Sequence, residues 1–211
     1  RDRSPSRGLG DVYKRQVATL LLDFLTIEEA AETVSAIIAA GILPAALELM
    51  DQQVVAAVEP FAHAGYPMDA AAVLIVELDG LPAGIDDQVR RIDDLARSHG
   101  AREVRRAADA DERERIWKGR KSAFGAIATL KPDYYLNDTV IPRSRLAEVL
   151  AGIQEAVDRH DLLIMNVFHA GDGNLHPLIV YDARNPEETA RVLEVGAVSY
   201  THLTLPTILL V

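Results

Sequence analysis

The chain reads as an α+β protein: one largely antiparallel sheet with helices on one face and ferredoxin-like elements. Three observations predict this. Strand-like and helix-like segments alternate along the chain, which sets up layers of sheet and helix. Residues 73–107 read strand-helix-strand, in the manner of a split βαβ unit. Near the far end, two apolar runs flank Asp172-Gly173. Asp-Gly between such runs is a strong hairpin signal, because a type I′ turn needs positive φ at both central residues.

The elements follow in order. Residues 17–24 form an apolar strand. Thr26 is an N-cap candidate with Glu28 and Glu29 in the first turn, and the helix runs to Ala40 before a Gly41 stop. Residues 45–50 are a short apolar strand, after which Asp51 caps a helix to about Phe61. Ala64-Gly65-Tyr66-Pro67 is a loop. Residues 73–78 are the clearest buried strand. Residues 85–99 form an amphipathic helix ending at Gly100, and 103–107 return as a strand. Residues 110–130 are a long charged helix. Residues 134–141 are extended until Pro142 ends them, and 143–160 are helical. The hairpin spans 162–181, and a last helix starts at Pro186. Gly171-x-Gly173 lacks a third glycine and opens a strand rather than a helix, which excludes the dinucleotide fingerprint. There are no internal repeats or low-complexity segments.

The two ends do not read as part of this domain. Asp11-Val12-Tyr13-Lys14-Arg15-Gln16 back-translates to GAT GTG TAT AAG AGA CAG, which resembles a transposon end used in sequencing libraries. Val198-Ser199-Tyr200-Thr201-His202-Leu203 fits the complementary strand. Residues 1–16 and 198–211 are therefore expected to be adapter-derived, and such segments are set aside before the fold is argued. The expected domain is 17–197, cut at both ends.

That stretch is long enough for one domain with a real core. The whole chain carries a net charge of −10; the leading segment holds five basic and two acidic residues, so 17–197 carries −13. A nucleic-acid binder needs a basic footprint, and this chain has the opposite. It has no cysteine, which excludes a disulfide frame, thiolate metal ligands and a cysteine nucleophile. No apolar run approaches the roughly 18 residues of a membrane span. No serine-histidine-acid set is legible.

The chemistry concentrates in His169-Ala170-Gly171-Asp172-Gly173-Asn174-Leu175-His176. If Asp172-Gly173 is a two-residue loop, Gly171 faces Asn174 and His169 faces His176. Directly opposed residues share a face with Cβ atoms about 4.5–5.5 Å apart. Two imidazoles at that separation can share one divalent metal. The alternative is a glycine-rich turn carrying two hydrogen-bonded histidines. A catalytic metal also needs a third ligand, commonly a carboxylate; Asp172 sits at the turn tip and is expected to point away from the histidines, so that ligand is expected beyond Ala197. Arg120 is either a solvated charge or a carboxylate holder. Favouring the second, the mixed-charge run Asp111–Arg115 ends before it and Gly119 thins the helix beside it. Asp138 is placed either to pair with an arginine or to orient a histidine.

These residues resemble a known family. Asn166–Pro177, Pro132-Asp133-Tyr134-Tyr135, Trp117-Lys118-Gly119-Arg120-Lys121, Leu47-Glu48-Leu49-Met50-Asp51, His63–Pro67 and Glu77-Leu78-Asp79-Gly80 look like the C-terminal part of FAD-linked oxidases acting on 2-hydroxy acids. That group includes glycolate oxidase flavin subunits and cytochrome-type D-lactate dehydrogenases, and the wider match favours the glycolate branch. The resemblance implies that His169 and His176 hold a divalent metal (zinc, iron or manganese) beside the flavin. It implies that Arg120 binds the substrate carboxylate, and it makes Asn174 the candidate contact to the cofactor. Leu136 stands where some relatives carry a substrate-binding lysine. The implied protein is a fragment of an FAD-dependent 2-hydroxy acid oxidoreductase. Its flavin domain, the Glu-His segment expected to hold the third ligand and the base, and any further oxidase subunits lie elsewhere. The implied setting is cytoplasmic, or at the inner face of a membrane through partner subunits. The competing reading is a non-catalytic metal-binding or subunit-docking module.

Overall fold

The computed structural model describes residues 16–203, with side chains through Ala197. Of the two adapter-like ends, residues 1–15 and 204–211 lie outside the described residues. The first half comprises β1 (Gln16–Phe24), α1 (Ile27–Ala39), β2 (Ala46–Asp51), α2 (Gln52–Ala62), β3 (Ala72–Gly80), α3 (Pro82–Ser98) and β4 (Glu103–Arg106). The second comprises α4 (Ala110–Ile127), β5 (Asp133–Leu136), β6 (Thr139–Val140), α5 (Leu146–Arg159), β7 (Leu163–His169), β8 (Asn174–Leu175), β9 (Pro177–Tyr181) and α6 (Pro186–Leu203).

The strands run in the order β4-β1-β3-β2-β7, and the sheet forks at β7. One branch continues through β8 to β6 and the other through β9 to β5. All these pairings are antiparallel. In β3-α3-β4, strand β1 lies between β3 and β4, so the unit is a split βαβ as expected. α1 likewise carries the chain from β1 to β2 across β3. The stretch read as one extended run, 134–141, breaks at Asn137-Asp138, and its halves pair on different branches of the fork.

Local chemistry fixes the joints. Thr26 and Glu29 form a capping box at the start of α1, each side chain accepting from the other's backbone N–H. Asp51 Oδ1 accepts from Val54 N–H at the start of α2. Its Oδ2 accepts from the backbone N–H and the Nδ2 of Asn166 on β7, at 2.6 and 2.9 Å. One buried carboxylate thus joins β2, α2 and β7. Burial pushes its pKa up to about 6, against the pull of those hydrogen bonds.

The expectation of helices on one face holds for four of the six. α1, α3, α5 and α6 cover one face through side chains such as Val34, Ile92, Ile153 and Val192, meeting Leu20, Leu22, Leu74 and Phe168 from the sheet. α2 and α4 cover part of the other face, where Val54, Val58, Ile116 and Ile127 meet Leu21, Ile75, Met50 and Val167. The reason lies in β3. Val73, Leu74, Ile75 and Val76 are all fully buried, so consecutive side chains, which point to opposite faces, both need cover. Each such side chain contributes about 1.5–3 kcal/mol on burial, which a single helical layer cannot supply for both faces.

Candidate functional site

The site lies on the α2/α4 face, where β2 meets β7. Glu48 and His169 are directly opposed in that ladder, so their side chains share a face. Glu48 is 6% exposed, and its Oε1 lies 2.7 Å from His169 Nδ1. Its Oε2 accepts from Arg120 Nε at 3.1 Å and Nη2 at 2.7 Å. Arg120 is itself 8% exposed. Both members of this ion pair are buried.

Several elements converge to put Arg120 there. Glu59, near the end of α2, accepts backbone N–H bonds from Ala64, Gly65 and Tyr66 and so folds the following loop back. That places Tyr66 against α4, where its hydroxyl donates to the Ile116 carbonyl. A Cβ on Gly119 would sit 2.5 Å from the Tyr66 hydroxyl oxygen. Gly119 is therefore a close-approach glycine: it admits the tyrosine and brings Arg120 down onto the sheet.

The histidine pair forms by a different register from the one expected. His169 pairs with Asn174, and Asn166 with Pro177, so the connection is the four residues Ala170–Gly173 rather than Asp172-Gly173 alone. Ala170–Asp172 make a 3-10 turn, and Gly173 takes φ +69° where a Cβ would lie 2.3 Å from the Ile141 carbonyl oxygen. Arg143 Nη1 donates to the Gly171 carbonyl and braces the turn. His169 and His176 are thus diagonal rather than opposed. The slip is two residues, and side chains alternate with a period of two, so both rings stay on one face. Their centroids lie 5.7 Å apart, edge to face.

His176 Nδ1 lies 3.3 Å from Asp138 Oδ1, so of the two roles open to Asp138 the structure assigns the histidine. Burial holds the His176 pKa below the ordinary imidazole value, with Asp138 opposing and His169 and Arg120 reinforcing the shift. The ring therefore stays neutral, as a metal ligand must be, to lower pH than a free imidazole. The Asn174 amide, with Nδ2 turned toward β6, donates to Asp138 Oδ1 at 2.9 Å and to the Thr139 carbonyl at 3.2 Å. Beside His169 and Glu48 opens a cleft of about 480 Å³, walled by Leu43, Pro44 and Leu47 and bordered by Arg143 and Asp172.

The structure brings together His169, His176, Arg120 and Asn174, each singled out by sequence. Glu48 was singled out only as part of a matching motif. The signal for it was a lone carboxylate inside the apolar run Leu47-Glu48-Leu49-Met50, since a charge is rarely fully buried without a partner. Among the described residues, no group of three or more His, Cys, Asp or Glu could hold a metal ion. No described helix is long and apolar enough to cross a membrane.

An antiparallel α+β domain presenting carboxylate-backed histidines beside a buried arginine defines the class. The chain belongs to the family of FAD linked oxidases, C-terminal domain, matched over residues 14–200. Over 177 residues it is 49% identical to the glycolate oxidase subunit GlcD of Escherichia coli K12, covering 84% of this chain and 36% of that protein. It is 39% identical to the GlcD subunit of Bacillus subtilis over 174 residues, 82% of this chain and 37% of that one. A mitochondrial cytochrome-type D-lactate dehydrogenase of Arabidopsis thaliana is 29% identical over 168 residues, 79% of this chain and 29% of that one. The chain thus spans about a third of the length of the curated relatives it matches. p-Cresol methylhydroxylase with substrate bound shares the fold at TM-score 0.63 and 14% identity, over 89% of this chain and 42% of that one.

Proposed function

We propose that this chain is the substrate-side part of an FAD-dependent 2-hydroxy acid oxidoreductase of the glycolate or D-lactate type. The observation that carries the reading is the pair of imidazoles whose Nδ1 atoms both face carboxylates, beside a buried arginine. With Nδ1 turned to Glu48 and to Asp138, each ring keeps Nε2 for a divalent metal. The donor set thus fits two of the ligands such a site needs, and a third would come from chain outside the described residues.

FAD, when bound, supplies the redox chemistry, and a divalent metal lowers the pKa of a coordinated hydroxyl. The residues of this chain bind and orient. Glu48 takes the Nε and Nη2 edge of Arg120, and the Nη1 edge is the one a substrate carboxylate would meet. Holding that carboxylate fixes the α-carbon, with its hydroxyl directed toward the histidine pair. Asn174, with Nδ2 engaged by Asp138 and Thr139, has Oδ1 for a contact to the cofactor. Phe61 and Phe124 stand exposed on α2 and α4, as expected of a surface that a flavin domain covers.

The test is a chimera in which residues 17–197 replace the matching segment of the E. coli glycolate oxidase subunit. The chimera should oxidise glycolate or D-lactate, and Arg120→Lys should lower kcat/KM about 100-fold, because lysine cannot reproduce the planar fork. A chimera that binds FAD but oxidises no 2-hydroxy acid, or one indifferent to Arg120→Lys, overturns the reading.

A further inference from the structure

Glu48 does something that neither a substrate-binding nor a metal-binding role assigns. Its two oxygens face different partners: Oε2 receives both N–H groups from Arg120, and Oε1 faces His169 Nδ1. A carboxylate only accepts, so His169 must carry its proton on Nδ1 to make that bond. We infer that Glu48 is a positioning residue that fixes the tautomer of His169 and, by holding Arg120 with its other oxygen, sets the arginine and the histidine in one rigid unit. The consequence for metal binding rests on the reading above; the tautomer assignment does not.

The geometry makes a sharp demand on Glu48→Gln. Arg120 offers only donors, so the glutamine must turn its amide oxygen toward Arg120. The amide NH₂ then occupies the place of Oε1 and faces His169 Nδ1. That nitrogen must become the acceptor, and the ring proton moves to Nε2. A nearly isosteric change therefore inverts the tautomer and blocks the lone pair a metal would use. His176, backed by Asp138 instead, should not change.

The experiment is long-range ¹H–¹⁵N spectroscopy of the full 211-residue chain labelled at histidine, well above the ordinary imidazole pKa of about 6.5. His169→Ala assigns the signals, and zinc titration by calorimetry runs in parallel. The wild type should show His169 protonated on Nδ1, Glu48→Gln should show Nε2–H, and Glu48→Asp should keep the wild-type form. Zinc affinity should fall about 10–100-fold in Glu48→Gln. A wild type protonated on Nε2, or a tautomer unmoved in Glu48→Gln, overturns the inference. If Glu48→Gln fails to fold, the wild-type assignment and Glu48→Asp decide it. A wild type with the expected tautomer but no zinc binding fits a site whose third ligand lies outside the described residues and leaves the positioning role standing.

Discussion

Two of the three arginines of α4 lie seven residues apart, and each meets a glutamate on the same face of the sheet. Arg113 reaches Glu77 on β3; Arg120 reaches Glu48 on β2. The two pairs look alike and differ in what else they hold. Glu77 also accepts from Trp117 Nε1 and Thr19 Oγ1, both fixed by the fold. Although burial pushes its pKa up, those donors and Arg113 hold it below the ordinary carboxylate value. Glu48 instead gives its second oxygen to His169, whose side chain is 51% exposed. Both carboxylates border a cleft, but one spends its oxygens on Arg113, Trp117 and Thr19, and the other turns one oxygen to an exposed histidine. On the reading proposed above, saturation by fixed donors suits a structural rivet, and a buried carboxylate with one oxygen given to an exposed histidine suits a working group.

Substitution can break this comparison. The largest effect is expected from Glu48→Ala, which strands the buried Arg120 charge and should cost about 3–5 kcal/mol. Glu77→Ala should cost about 1–2 kcal/mol, since Arg113 is 41% exposed and can turn to water. Urea unfolding measures both, and equal losses would erase the distinction. Next comes Gly119→Ala, whose Cβ must displace Tyr66 or lift α4, at about 1–3 kcal/mol. Thermal unfolding reads it; an unchanged Tm would refute the close approach.

A smaller effect concerns Asp51. Its folded-state pKa is raised to about 6 from an ordinary 3.8, so its contribution is fully present below pH 3.8 and is lost as pH rises through 6. Glu77, with a lowered pKa, has the opposite sign: its contribution is present above the ordinary value and lost as pH falls. Asp51→Asn should remove the decline between about pH 4 and 6 from the stability profile, read as Tm against pH; an unchanged profile would refute it. The smallest effect is expected at Arg90–Asp87, an exposed pair whose removal should move stability by under about 0.5 kcal/mol.

Much of this was legible in the sequence. Thr26 and Asp51 announced their caps because capping is local: a short polar side chain, three residues ahead of an N–H it can reach. The histidines and Arg120 stood out by spacing and by a break in charge pattern. The hairpin register was not legible. Asp-Gly favours a two-residue loop, yet the Gly173 backbone packs against Ile141, a residue thirty-two positions upstream, and Arg143 braces Gly171. Such contacts choose a longer turn and leave no local trace. The second helical layer was implied by the unbroken run in β3, and the role of Asp138 by nothing nearby, since its partner His176 arrives from across the fork. Glu48 shows the same limit: the lone charge was visible, but its two partners lie 72 and 121 residues away.

The spacing of Arg113, Trp117 and Arg120 also has a consequence for length variation. Those residues meet two sheet glutamates from a single helix face, and inserting one residue between them would turn everything downstream by about 100°. Chains that diverge from this one should gain or lose residues freely before Arg113 or in the loop after α4, and keep the count between Arg113 and Arg120 fixed. That stretch of α4 is a measured interval between two arginines that each meet a sheet glutamate, and its length should travel with them.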